Sequence, residues 1–175
     1  MTSETVDSNK IKVREYVMAY LKRFINKAVS LSLLLYVPFS FSGITTIEAL
    51  SFGTIAVLNN DSTSDITISP ANNITITNQI RILVPGTRGE FLLTNYPAHI
   101  QVSITANIVA AETVSATPPS EQFTLINIDT APSVTTDGTG IANIYVGGTL
   151  RTSGSGSGQY FDSTYTATYE LDINF

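Results

Sequence analysis

The chain has 175 residues, of which 43% are hydrophobic and 13% are charged, and it contains no cysteine. This composition is too apolar for a disordered protein, and the length suits one domain of ordinary size. Stability has to come from a packed core and from strand pairing, because disulfide bonds are excluded. Thr, Ile, Val, Tyr and Phe recur in short runs separated by Gly, Pro, Asn and Asp, which predicts an all-β fold.

Charge is distributed unevenly along the chain. Residues 1–42 contain six Lys and Arg, whereas the remainder has eleven Asp and Glu against three Arg, a net charge near −8. Nucleic-acid binding depends on Lys and Arg at the phosphate backbone. A nucleic-acid partner is therefore not expected.

The basic N-terminal part leads into a short apolar run. Ala28–Ser42 reads AVSLSLLLYVPFSFS and follows MAYLKRFINK. A positive region, an apolar region and then small residues are typical of a secretory signal. We predict a leader and signal peptide over residues 1–42, cleavage before Gly43, and one β-sandwich domain over residues 43–175.

Two alternatives concern the same N-terminal region. Met18 as the true start would leave a leader of ordinary length. A membrane anchor would need about 20 apolar residues, and this run is shorter and contains Pro38. No stable membrane anchor is therefore expected, and the protein is expected to pass through the periplasm to the cell surface or the medium.

The first predicted strand of the domain contains a bend. LSFGTIAVL places Leu50 and Phe52 on one parity, and Ile55 and Val57 on the other. A bulge or bend at Gly53 would turn both pairs toward the same side. DITIS follows as a second short strand.

The middle of the chain contains longer alternating runs. NITITNQIRILVPG has apolar residues at even positions from Ile74 to Val84 and ends in a Pro-Gly turn, which predicts one clear strand. GEFLLTNYP is a shorter strand. HIQVSITANIVA then aligns Ile100, Val102 and Ile104 on one face.

Two more strands precede the last one. A polar loop with Pro118-Pro119 is followed by QFTLINID, a TDGTG turn and IANIYVGGTL. RTSGSGSGQ, rich in Gly and Ser, is predicted to be a flexible segment.

The last thirteen residues, STYTATYELDINF, alternate strictly. This period of two predicts a strand with one apolar and one polar face. Its apolar face consists of Tyr165, Ala167, Tyr169, Leu171, Ile173 and Phe175. About eight such strands can bury their apolar faces best in two antiparallel sheets packed face to face. A barrel is the alternative.

The sequence offers few groups for catalysis. His99 is the only histidine, and its parity matches that of Gln101 on the polar face of its strand, so we predict an exposed side chain. A hydrolytic triad needs a base oriented by a third group. A zinc site needs several His or Cys ligands, which this chain cannot supply.

Glu170 and Asp172 are the strongest pair of carboxylates, two residues apart on the polar face of the last strand. Two carboxylates suffice for a glycosidase. Their neighbours on that face are Thr168 and Asn174, and no aromatic ring is present to stack a sugar. We predict a solvated strand face, with an envelope hydrolase as the least favoured hypothesis.

Calcium binding is the remaining metal hypothesis, since Asp129 and Asp137 could offer oxygen ligands. No D-x-D-x-D-G spacing occurs, however, and Asp137-Gly138 is typical of a hairpin turn. Asn60 and Asn73 begin glycosylation sequons, a pattern frequent by chance in an Asn/Thr-rich chain. We predict no catalytic, cofactor-binding or metal-binding residue and no enzyme activity.

Strand edges are the other means by which this fold could act. Edge strands expose N–H and C=O groups that can pair with another chain. The last strand is the main candidate for such pairing. The alternative is that it is an ordinary strand of the sandwich. The candidate assembly residues are Tyr165, Tyr169, Leu171, Ile173, Phe175, Leu50 and Phe52.

Several motifs resemble a known family of exported bacterial proteins. They are LSFGTI at Leu50–Ile55, IANIYVGGTL at Ile141–Leu150, and GQY at Gly158–Tyr160 before an alternating terminal strand. The chain resembles domain of unknown function 4402, which is similar to spore-coat-U and fimbrial subunits of chaperone–usher systems. The resemblance implies an immunoglobulin-like, pilin-like sandwich and a structural, non-enzymatic subunit.

Two hypotheses for function follow. The first is a secreted structural subunit of a fimbria-like or coat-like surface assembly that associates with itself or with other surface subunits. The resemblance adds a periplasmic chaperone and an outer-membrane usher as partners. The second is a monomeric adhesin-like module that binds carbohydrate or matrix through loops such as Ala111–Glu121. In GITTIEA, Ile44, Thr46 and Ile47 do not alternate cleanly, so a sandwich that is complete in itself also stays open.

Overall fold

The structure is a computed structural model that describes residues 42–116, 121–156 and 158–175. The predicted signal peptide up to residue 41, the alternative start at Met18 and the Pro118-Pro119 loop lie outside these ranges. All the regular elements in these ranges are β-strands, and every strand pairing is antiparallel. No helix in these ranges is long and apolar enough to cross a membrane.

The described residues contain eleven strands. In chain order they are β1 (Gly43–Glu48), β2 (Thr54–Val57), β3 (Asp65–Ile68), β4 (Ile74–Ile76), β5 (Ile80–Val84), β6 (Gly89–Thr94), β7 (Gln101–Ser115), β8 (Thr124–Thr130), β9 (Ser133–Thr135), β10 (Ala142–Arg151) and β11 (Tyr165–Asn174). The predicted all-β class is confirmed.

Nine of these strands form one sheet, whose main path runs β1-β6-β10-β8-β7-β11. β3 joins β10 and β4, and β9 joins β7, while β2 and β5 form a separate two-stranded ribbon. A single residue pair, Glu112 with Thr124, connects β7 to β8 in the ladder. At this narrow connection the sheet divides into two layers, with β7, β9, β11 and the ribbon facing the other strands.

The core lies between these layers. Its two clusters of buried side chains are Ile66, Ile80, Phe123, Leu125 and Leu150 in the first, and Leu93, Val102, Ile104, Ile144 and Val146 in the second. Each cluster draws residues from both layers, which is the packing of an antiparallel sandwich. The predicted sandwich is therefore confirmed, and the path with free ends at β1 and β11 is not a closed barrel.

β10 is the central strand of its layer. Its first half, Ala142–Val146, pairs with β6, and its second half pairs with β3 on the same side and with β8 on the other. Gly147 lies between the halves, where a Cβ would overlap the carbonyl oxygen of Ile68. The glycine therefore allows β3 to approach the strand closely.

The predicted bend in the first strand is confirmed. Gly53 has a φ of 76°, and β2 begins at the next residue. Phe52, Ile55 and Val57 all pack against the first buried cluster. The change of parity across the glycine therefore keeps one face of the chain on the core.

The prediction of one strand over NITITNQIRILV is wrong. The run contains two strands, β4 and β5, which pair with β3 and β2 respectively. Between them Asn78 adopts a φ of 49°, and its side-chain Nδ2 donates to the carbonyl of Thr63 at 2.9 Å. Ile74, Ile80 and Ile82 keep the even spacing because they pack against the same cluster, whereas Ile76 and Val84 are 40% and 56% exposed.

β1 is a strand that the alternation did not predict. It pairs only with β6, and every side chain after Gly43 is exposed, including Ile44 at 46% and Ile47 at 55%. A strand that buries neither face has no reason to alternate, which explains the irregular sequence. Backbone hydrogen bonds to β6 hold it in place.

Candidate assembly site at the last strand

β11 runs antiparallel to β7 along almost its whole length, from Tyr165 opposite Ser115 to Asn174 opposite Ser103. Its odd-numbered side chains are half-buried and its even-numbered side chains are exposed. The predicted strand with one apolar and one polar face is confirmed.

The apolar row of β11 covers both core clusters. Tyr165 and Ala167 pack on the first cluster, Leu171 and Ile173 on the second, and Tyr169 on both. Burial raises the pKa of the Tyr169 phenol. β11 is therefore required for the core and is not an appendage.

Phe175, predicted to lie on the apolar face, is outside that core. It follows the end of β11 and is 71% exposed. Its ring meets the ring of Tyr96 edge-on, with centroids 4.9 Å apart and an interplanar angle of 75°.

The far side of β11 carries no ladder partner in the described structure. β11 ends the path of the sheet, and neither β2 nor β5 pairs with it. Phe52 and Ile55 nevertheless pack against the same buried cluster as Tyr165 and Ala167. β11 and the β2–β5 ribbon thus cover the same cluster without a ladder between them, and this unpaired boundary is defined here as the open seam.

The structure brings the predicted assembly residues of the first and last strands to this region. A Cβ placed on Gly89 would lie 3.3 Å from the backbone nitrogen of Leu50 and 3.3 Å from the Tyr169 hydroxyl. Leu50, Phe52, Tyr165 and Tyr169 therefore surround one part of the core. Leu171 and Ile173 lie further along β11, over the second cluster.

Residues 153–156 of the Gly/Ser segment before β11, a segment predicted to be flexible, are hydrogen-bonded to Asn60. Asn60 is buried, and its Nδ2 donates to the hydroxyls of Ser153 and Ser155 at 2.8 and 3.3 Å. The Asn60 Oδ1 accepts from the Gly154 N–H at 3.0 Å, and its carbonyl accepts from the Gly156 N–H at 2.8 Å. Sequence reasoning missed Asn60 because its partners are more than ninety residues away.

A polar depression of about 340 Å³ lies beside this segment. Its lining residues are Val57, Leu58, Asn59, Asn60, Asp61, Gly156, Gly158, Gln159 and Tyr160. The Tyr160 hydroxyl accepts from the Ser153 N–H at 2.7 Å and donates to the Gln122 carbonyl at 3.1 Å. Burial raises the pKa of this phenol.

The carboxylate pair of the hydrolase hypothesis is on the surface. Glu170 and Asp172 are both exposed on the outer face of β11. Asp172 accepts a hydrogen bond from the Asn107 amide at 2.8 Å. His99 is exposed in the turn before β7, with a φ of 58°, and its N–H donates to the Asp137 carbonyl at 3.3 Å.

The aspartates of the calcium hypothesis belong to different elements, a strand and a turn. Asp129 is exposed on β8. Asp137 Oδ1 accepts from the Thr139 hydroxyl at 2.7 Å, the Thr139 N–H at 2.8 Å and the Ile141 N–H at 3.0 Å, and these bonds lower the pKa of its carboxyl. This is the chemistry of a turn. The described ranges contain no group of three or more His, Cys, Asp or Glu side chains placed to hold a metal ion.

The family comparison agrees with the motifs in the sequence. The model of the family described as "Domain of unknown function (DUF4402)" matches residues 43–175. The chain belongs to this family. The DUF4402 match covers all eleven described strands, whereas the likeness to fimbrial and spore-coat subunits stays a prediction. No match was found among the curated proteins or among the solved structures.

Proposed function

We propose that this DUF4402 chain is an exported structural subunit of a bacterial surface assembly, fimbria-like or coat-like, that associates through strand edges. The observation that carries the proposal is the unpaired edge of β11 beside the open seam. The basic and then apolar N-terminal sequence supports export. The proposal includes no catalytic step.

The edge of β11 has few of the features that protect edge strands. Natural edges are blunted by Pro, by Lys, by bulges or by being short. β11 has ten residues without Pro or Lys, and its pairing with β7 is regular from Tyr169 to Asn174. Free N–H and C=O groups along this stretch can pair with an added strand.

The surroundings of the edge favour one extended segment over a second sheet. The β2–β5 ribbon covers the same core cluster on the far side of the open seam, so a broad partner would meet the ribbon. The segment could come from another copy or from a different surface subunit. In transit, a periplasmic chaperone would cover the edge and an outer-membrane usher would receive the subunit.

Hydrogen exchange tests this proposal directly. The full-length gene is expressed, and the exported protein is separated into monomer and assembled fractions and imaged by negative-stain microscopy. Amides of β11 that point away from β7 should exchange quickly in the monomer. In the assembly they should exchange at least about tenfold more slowly, because they gain a partner.

The β7 amides that already bond to β11 provide the internal control and should change little. An exported protein that never assembles, alone or with its chromosomal neighbours, would contradict the proposal. Assembly without added protection of the β11 amides would show that the copies associate through another surface.

The polar depression beside Tyr160 favours a second candidate function, a monomeric adhesin-like module that binds carbohydrate or matrix. Amide and carboxyl groups of Asn59, Asp61 and Gln159 line it, and such groups bond sugar hydroxyls. This location replaces the predicted Ala111–Glu121 loop, since residues up to Ser115 belong to β7. Glycan-array binding by monomeric protein, lost in Asp61→Ala, would support this function over assembly.

A further inference from the structure

The outer face of the β2–β5 ribbon exposes an apolar patch around one cation. Leu58, Leu83 and Val84 are 59%, 64% and 56% exposed, and Arg81 is exposed as well. Several large apolar side chains exposed on one face are uncommon on a monomer and mark interaction sites. We refer to these four residues as the ribbon patch.

Strand register explains why these side chains share a face. Ala56 is opposite Arg81, Thr54 is opposite Val84, and the Leu58 N–H donates to the Gln79 carbonyl at 2.9 Å. Residues two apart on a strand point the same way. A register shift at the Thr54 end places Val84 on the outer face instead of the core face, next to the exposed Leu83.

Arg81 differs from the other two arginines of the described ranges. Arg88 lies 3.7 Å from the centre of the Tyr145 ring and donates to the Pro70 carbonyl. Arg151 forms a two-point ion pair with Asp65 at 2.7 and 2.8 Å. Arg81 has no such partner within the described part of the chain, so its charge is available to another molecule.

The same layer carries a complementary face on β7 and β11. Glu170 and Asp172 are exposed there, as is Val114, at 71%, opposite Thr166. Val109, at a register shift in the same pair of strands, is 61% exposed. This acidic face thus combines two negative charges with apolar side chains, as the ribbon patch combines a positive charge with apolar side chains.

We propose that the ribbon patch of one copy docks on the acidic face of a second copy, with Arg81 against Glu170 and Asp172. The inference rests on the proposed assembly function and adds a face-to-face contact to the pairing of edges. Both surfaces lie on the outer face of the same layer, so two copies related by a two-fold axis form the contact twice, the ribbon patch of each copy on the acidic face of the other. In a domain with a net charge near −8, Arg81, the one arginine of the described residues without an ion pair or a ring contact, sets the orientation of the copies.

Charge reversal provides the test. Full-length Arg81→Glu, Glu170→Arg and the double variant are expressed, and the exported proteins are compared by sedimentation velocity over a range of concentrations. Each single reversal should raise the dissociation constant at least about fivefold, and the double variant should recover to within about threefold of the wild type. The difference between the dissociation constants of the wild type and Arg81→Glu should become smaller at high salt, because salt screens the charges.

Asp129→Arg is the matched control. It makes the same charge change as Glu170→Arg at an exposed acid on β8, in the other layer, and it should not rescue Arg81→Glu. Leu83→Ser tests the apolar part of the ribbon patch without changing charge and should also weaken association. Unchanged thermal unfolding confirms that each variant folds.

The outcomes separate the inference from the proposed function. If β11 becomes protected on assembly but Arg81→Glu associates like the wild type, the edge function stands and the face contact is wrong. The inference is equally overturned if Asp129→Arg rescues as well as Glu170→Arg. Protein that stays monomeric in every condition overturns both.

Discussion

Asn60 is a buried residue whose amide and backbone hold a glycine-rich segment against the turn after β2. Gly154 has a φ of 64°, and a Cβ added there would lie only 2.7 Å from the Thr63 nitrogen. This close approach therefore requires glycine. The segment is therefore built from small residues for packing and for hydrogen bonds. The composition predicted flexibility, whereas residues 153–156 are hydrogen-bonded to Asn60.

Replacing Asn60 with alanine tests that role. Asn60→Ala removes three side-chain hydrogen bonds and leaves the Gly154 N–H without its acceptor. Loss of such bonds should lower the free energy of unfolding by about 2 kcal/mol. Urea unfolding measures the change. Asn59→Ala, at an exposed neighbour, is the control and should stay within about 0.5 kcal/mol of the wild type.

Two carboxyl groups make stability depend on pH. The hydrogen bond from Arg151 lowers the pKa of Asp65, and the hydrogen bond from the Thr139 hydroxyl lowers that of Asp137, both from the ordinary 3.8. A carboxyl with a lowered folded pKa stabilises the protein above the unfolded pKa. That contribution is lost as pH falls through the folded pKa.

The free energy of unfolding should therefore decrease as the pH falls below about 4. The decrease should be shallower in the Asp65→Asn/Asp137→Asn double variant, because the two carboxyl groups that take up protons on unfolding are absent. Chemical unfolding at several pH values measures both slopes. Asp129→Asn, at an exposed carboxylate, is the control, and a slope identical in all three proteins would contradict the assignment.

At the scale of elements, β10 and β1 represent the extremes of burial. Ile144 and Val146 in β10 are fully buried, and β10 pairs with β6 on one side and with β8 on the other. β1 is bonded on one side and has no buried side chain. Elements with little buried apolar area open at lower free energy than the rest of a fold. β1 should therefore be the first strand to detach.

Matched isoleucine truncations test this difference. Ile144→Ala should cost about 3 kcal/mol of unfolding free energy, because it leaves a cavity in the second cluster. Ile47→Ala, at a residue that is 55% exposed, should cost less than about 0.5 kcal/mol. Denaturant titration measures both, and hydrogen exchange should be faster in β1 than in β10. Equal costs would show that β1 is covered by a partner.

At the scale of the whole molecule, negative charge opposes self-association. The domain has eleven Asp and Glu against three Arg. Repulsion between copies acts over the Debye length, about 30 Å at 0.01 M salt and about 10 Å at 0.1 M. Assembly therefore has to overcome a long-range repulsion that salt reduces.

Raising the salt concentration from about 0.01 to about 0.15 M should increase the assembled fraction severalfold, because the repulsion is screened. Light scattering at fixed protein concentration measures the assembled fraction. The Asp129→Asn variant, with one negative charge fewer, should assemble at somewhat lower salt. A fraction that falls steadily with salt would show that attraction between charges dominates instead.

Much of this fold could be predicted from local sequence. The alternation in Tyr165–Asn174 predicted which side chains of β11 face the core, and the shift of parity at Gly53 predicted the bend before β2. These patterns are local because side chains alternate along a strand wherever one face is buried. The sandwich class followed from the number of alternating strands, and the family followed from the LSFGTI, IANIYVGGTL and GQY motifs.

Long-range placement was decided only by the tertiary structure. The Ile74–Val84 run divides at Asn78 between two layers, β1 pairs with β6 without burying a side chain, and Asn60 meets Ser153 across the chain. The open seam, too, depends on where β2 lies relative to β11. The sequence by itself determined which residues form strands and which faces are apolar, because those depend on neighbours in the chain. Only folding decided which strand edges are paired, since pairing depends on segments far apart in sequence.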